Sequence, residues 1–131
     1  MNAPNTLVSG GWDREVRFWD VRANRLSQSI GGRTSISGDS VDISHDNNYC
    51  VTGGGTLGEG IQLWDFRNLT RPVNKLIWKV AESGDLVNPV VNCVRFIPRQ
   101  NLVLAGCSDA RISAKCYDVR TGENIEEFHR V

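Results

Sequence analysis

Gly53, Gly55 and Gly58 in "VTGGGTLGEG" carry the G-x-G-x-x-G spacing by which a strand-to-helix turn wraps backbone amides round a pyrophosphate. That chemistry needs a helix opening directly after the glycines, whose first amides hold the anion. The next residues, "IQLWDFRNLTRP", instead alternate apolar and polar and end at a proline. Gly60 is followed by Ile61 and not by lysine, so the segment is no P-loop. A glycine-rich turn between two strands is expected here, with a nucleotide-binding enzyme as the alternative.

Asp20, Asp65 and Asp118 could act as paired acid and base only if the fold brought them together. Each ends a strand of its own, so capping of a local turn is the expected role. Ser9 lies near Asp13 but has no histidine beside it to complete a nucleophilic set. The two histidines, His45 and His129, are too far apart to found a metal site. Cys50, Cys93, Cys107 and Cys116 form no C-x-x-C pair and lie in apolar stretches, which predicts buried thiols. No catalytic residue, metal ligand or cofactor is assigned, and the chain reads as a non-enzyme.

Composition narrows the partners. Fifteen basic residues balance fifteen acidic ones, whereas nucleic acids and membrane surfaces attract a basic excess. No apolar run approaches the ~20 residues of a membrane helix, and "MNAPNTLVSG" does not resemble a secretion signal. An intracellular protein, cytoplasmic or nuclear, is therefore expected. Asn68-Leu69-Thr70 fits the glycosylation pattern but reads as a turn in that setting.

The elements that position these residues repeat. "TLVSGGWDREVRFWDVR", "SVDISHDNNYCVTGGGTLGEGIQLWDFR" and "VNCVRFIPRQNLVLAGCSDARISAKCYDVR" each close on an aromatic, an aspartate, an apolar residue and an arginine. The closing aromatics Trp19, Trp64 and Tyr117 are 45 and 53 residues apart. Ile43 to Trp64 and Phe96 to Tyr117 are both 21 residues, so the extra length falls in the loop-like connector "KVAESGDLVNPV". Period-two alternation predicts strands near 5–10, 15–20 and 25–30, then 40–44, 48–53, 60–65 and 73–78, then 90–96, 101–106, 112–118 and 123–128.

On these residues the chain resembles the WD-repeat (WD40) β-propeller family, over nearly its whole length. The resemblance implies an all-β fold of four-stranded antiparallel blades, each pinned by a histidine, a Ser or Thr, an Asp and a Trp. Blade one, 1–33 and lacking its inner strand, offers Ser9, Asp13 and Trp19. Blade two, 34–80, offers Thr52 and Trp64 with no aligned aspartate. Blade three, 88–131, offers Asp109 and Tyr117 in place of the Trp, with Ala105 where the hydroxyl belongs. The family's Gly-His is absent: "GGRT" and "DLVN" stand in its slots.

Under three blades in a single partial domain, against the roughly four to eight of a closed propeller, imply part of a longer propeller. Completion by a partner, or by self-association through open blade edges, is a second expectation, and an independently stable open array a third. The family's role implies a non-catalytic scaffold that binds other proteins. The turns between second and third strands open on its docking face, making Trp12, Glu59 and Ser108 partner-binding candidates. For Trp12 the choice is between an interface anchor and local packing over its turn. The repeated aromatic-Asp-x-Arg also resembles the element by which substrate receptors of cullin-RING ubiquitin ligases dock on their adaptor, here Arg22, Arg67 and Arg120. An arginine paired with an aspartate at the strand end is the alternative.

Overall fold

Alternation becomes strand at each predicted place in the computed structural model, which describes residues 5–32, 34–56, 58–82, 84–107 and 112–129. β1 (Thr6–Gly10), β2 (Glu15–Asp20) and β3 (Arg25–Gly31) form a three-stranded antiparallel sheet in chain order. β4 (Val41–Ile43), β5 (Tyr49–Gly53), β6 (Ile61–Asp65) and β7 (Asn74–Leu76) form a four-stranded one. The chain then makes β8 (Val80–Glu82) and β9 (Asp85–Val87), a separate hairpin. A last four-stranded sheet holds β10 (Val91–Ile97), β11 (Leu102–Cys107), β12 (Ile112–Asp118) and β13 (Asn124–His129). These are blades of the expected all-β architecture.

The connector read as a loop is thus corrected to a hairpin. "VAE" and "DLV" are short strand-forming runs, and Gly84 between them takes φ +90, which an L side chain resists.

Adjacent sheets bury two cores that share the middle sheet. Along β5 and β6, Cys50 and Trp64 face the first sheet, meeting Val16, Phe18, Ile30 and the connector residue Ile36. Their neighbours Val51, Ile61 and Leu63 face the third sheet, meeting Val91, Val94, Val103 and Tyr117. Strand side chains point alternately to opposite faces, so a strand apolar on both faces suits a sheet covered on both sides. Phe18 and Phe66 meet edge to face across the first interface, 4.8 Å between centroids.

Hydrogen bonds lock the second interface as well. Val91 N–H donates to Gly54 O at 2.9 Å and the Ser40 hydroxyl to Val91 O at 2.7 Å. The Phe96 amide donates to the Asp42 carboxylate at 2.8 Å. This closeness explains the glycines. A Cβ on Gly53 would lie 2.5 Å from Val91 Cγ1, and one on Gly55 3.1 Å from the Ser35 carbonyl oxygen. The turn leads straight into strand β6, where a phosphate-binding turn needs a helix. The nucleotide alternative loses its structural basis there.

Cysteine burial is mixed. Cys50 and Cys116 are buried as expected, but Cys93 is exposed, and no disulfide joins the four. Cys93 follows an irregularity in the β10–β11 register, which interrupts the alternation that the sequence reading relied on.

Candidate interaction surface

Each sheet ends in the same turn at the edge that carries its aspartate. Asp20 Oδ1 accepts the amides of Arg22 and Ala23, both at 3.0 Å. Asp65 Oδ1 accepts the amide of Arg67 at 2.8 Å, and Asp118 Oδ1 that of Arg120 at 2.7 Å. The carboxylates therefore cap turns in three separate sheets and do not pair. Arg67 also folds back onto Asp65 through its guanidinium, which holds that carboxyl below the usual aspartate range. This is the strand-end ion pair. The guanidiniums of Arg22 and Arg120 make no such contact among the described residues.

A second repeated bond was not anticipated. The residue after each aspartate donates its amide to the carbonyl of an asparagine just before the preceding strand (β1, β5 or β11): Val21 to Asn5 at 2.9 Å, Phe66 to Asn48 at 3.0 Å, Val119 to Asn101 at 2.8 Å. The three asparagines are visible in the sequence, but the bond uses only backbone.

Two indole hydrogen bonds join neighbouring strands within their sheets. Trp19 Nε1 donates to Ser9 Oγ at 2.9 Å, and Trp64 Nε1 to Thr52 Oγ1 at 3.0 Å. Trp64 is fully buried, whereas Trp19 is 37% exposed because its face of β2 points away from the middle sheet. Asp13 stands outside its pair. It binds the Glu15 amide at 3.2 Å and Arg17 at 2.8 Å, and the Arg17 hydrogen bond leads in lowering its carboxyl's pKa. Tyr117, which pairs with Val103 across β11 and β12, reaches across the interface and donates to Ile77 O at 3.0 Å. Beside it Lys115 lies 5.6 Å above the ring of buried Trp78 and pairs with Glu127 at 2.7 Å. Neither Trp78 nor Lys115 was singled out from sequence. Ser108 and Asp109 lie outside the described residues.

Glu59 lies in the β5–β6 turn, where the middle sheet has no aligned aspartate. Its longer side chain turns inward to accept the Ser35 hydroxyl at 2.9 Å, the Ser35 amide at 3.2 Å and the Thr34 hydroxyl at 3.4 Å. Burial pushes its carboxyl up, but the bonds from Ser35 and Thr56 outweigh that and hold it below the usual glutamate value. The signal for this staple was the hydroxyl run "TSIS" in the preceding connector.

Trp12 does the opposite. It sits at the tip of the β1–β2 turn, 67% exposed, between Gly11 and the Asp13–Arg17 pair. Arg14, two residues on, adopts φ +63, so the turn that presents the indole is sharply set. Among the described residues no group of three or more His, Cys, Asp or Glu could hold a metal ion.

Residues 2–20 match the family model described as WD domain, G-beta repeat. The chain belongs to the WD-repeat family. Over 131 residues this WD-repeat chain is 28% identical to "Small ribosomal subunit protein RACK1" of Caenorhabditis elegans, covering 97% of the chain and 34% of that protein. It is 27% identical over 119 residues to "Ribosome biogenesis protein WDR12 homolog" of Chlamydomonas reinhardtii, 91% of the chain and 25% of that protein. It is 30% identical over 126 residues to RACK1 of Drosophila melanogaster, 93% of the chain and 33% of that protein. The WD-repeat chain thus spans between a quarter and about a third of these curated relatives.

Proposed function

We propose that this chain is a non-catalytic, intracellular scaffold that binds other proteins through the face carrying the β1–β2 turn, with Trp12 as its anchor. The observation that carries this reading is the exposure of Trp12 on a firmly set turn. Tryptophan is the residue type most enriched in interface hot spots, and its large rigid surface gains most when a partner covers it. Fold alone does not name the partner. Relatives named for the small ribosomal subunit and for ribosome biogenesis make the small ribosomal subunit the first partner to test.

The test is co-sedimentation of the purified chain with small ribosomal subunits on a sucrose gradient. Wild type is expected in the particle fraction and Trp12→Ala at the top, with identical far-UV circular dichroism. A wild-type chain that stays at the top rejects this partner. A Trp12→Ala chain that co-sediments as well as wild type rejects the anchor.

A further inference from the structure

At the aspartate-bearing edge, a cleft of about 730 Å³ opens between the second and third sheets, away from Trp12. Its floor is apolar: Leu63 is buried, and Tyr49, Phe96 and Val119 are half-buried against the core beneath. Its rim is charged, and the charges are unequal in their engagement. Asp65 is occupied by Arg67, and Asp46 by the Ser44 hydroxyl at 2.6 Å and by the amides of Asn48. Both acidic side chains of the lining are therefore satisfied within their own sheet. Arg99 and Arg120, both from the third sheet, line the cleft with no partner for either guanidinium among the described residues.

We propose that this cleft binds a short acidic peptide segment of a partner protein, an apolar side chain on the floor and carboxylates on Arg99 and Arg120. Guanidinium forks suit carboxylates, and an aromatic-lined floor suits an apolar anchor. A polyanion such as RNA fits less well, because Asp46 and Asp65 share the lining and the chain has no basic excess. The site rests on the reading as a protein-interaction module, but not on Trp12 or on the ribosomal subunit as partner.

Arg99 holds φ +62, so Asn, which tolerates that conformation, is the fitting replacement; Arg120→Gln leaves its amide bond to Asp118 in place. Fluorescence anisotropy of the full chain uses a labelled peptide Glu-Asp-Leu-Phe-Asp-Glu, its charge-reversed lysine version and a labelled oligouridylate. The acidic peptide is expected to bind with a Kd of tens of micromolar, weakening as salt screens the arginines. Arg99→Asn and Arg120→Gln each lose about three- to fivefold, as exposed ion pairs do, and together about tenfold or more. Trp12→Ala binds like wild type. No binding below about 1 mM, equal binding of the lysine peptide or by the double variant, or a preference for oligouridylate overturns the proposal. If Trp12→Ala alone abolishes peptide binding, the peptide sits on the other face and the cleft assignment fails.

Discussion

Trp64 donates its indole N–H to the Thr52 hydroxyl at 3.0 Å inside the interface between the first and second sheets, where neither side chain meets solvent. Ser9 and Trp19 make the same bond at 2.9 Å on an exposed face. Burial sets the worth of the two bonds apart, because a buried donor that loses its acceptor bears the full desolvation penalty. Thr52→Val, close in shape, is expected to cost about 1–3 kcal/mol in urea unfolding. Ser9→Ala, whose orphaned indole turns to water, is expected to stay within about 0.5 kcal/mol. Equal losses would show that the bonds are not ranked by burial.

Gly53→Ala tests the tight seam with Val91. The new methyl is placed 2.5 Å from Val91 Cγ1, and Val91 has no exposed surface, so the sheets must part. Overpacking of this kind costs about 1–3 kcal/mol. Trimming Val91 to Ala in the same chain is expected to recover part of the loss, while Gly11→Ala, with only an ordinary contact to Asp13, is near neutral. Thermal unfolding of the four proteins reads this directly.

Glu59 predicts an acid-side loss of stability. Its folded-state carboxyl titrates below the ordinary 4.5, so the unfolded chain takes up this proton first as pH falls. The contribution is complete above about pH 5 and is lost as pH drops through the folded value. Glu59→Gln keeps the shape and removes the titration, so its stability at pH 7 falls and its dependence between pH 5 and 3 flattens. An unchanged acid limb in urea unfolding at graded pH would refute the staple.

Asp65 and Arg67 are expected to matter unequally. Arg67 is 79% exposed, so Arg67→Ala loses a screened pair of at most about 1 kcal/mol. Asp65→Ala also strips the acceptor from the Arg67 amide and is expected to cost visibly more. A larger loss for Arg67→Ala in the same unfolding assay would reverse this order.

Strand positions and the blade pattern were legible because period-two alternation and the closing aromatic-Asp pairs are local. What sequence reading missed depends on contacts across interfaces. Asp13 has the residue type and spacing of a blade pin, yet Arg17 four residues on draws it away. Glu59 looked like a surface acid in a turn, and only the approach of Ser35 turns it inward. The hairpin 80–87 hid behind its Ser-Gly-Asp and Asn-Pro, since turn residues alone do not say whether the flanking runs pair.

Because Leu63 faces one neighbour and its adjacent Trp64 the other, inserting or deleting one residue within β6 would exchange the two faces and place each side chain against the wrong partner. The hairpin β8–β9 lies outside all three sheets, in the connector that carries the extra length between the second and third closing aromatics. Length change is therefore expected to cost less there than within β6. The hairpin is thus the place where a grafted segment is expected to disturb the stack least.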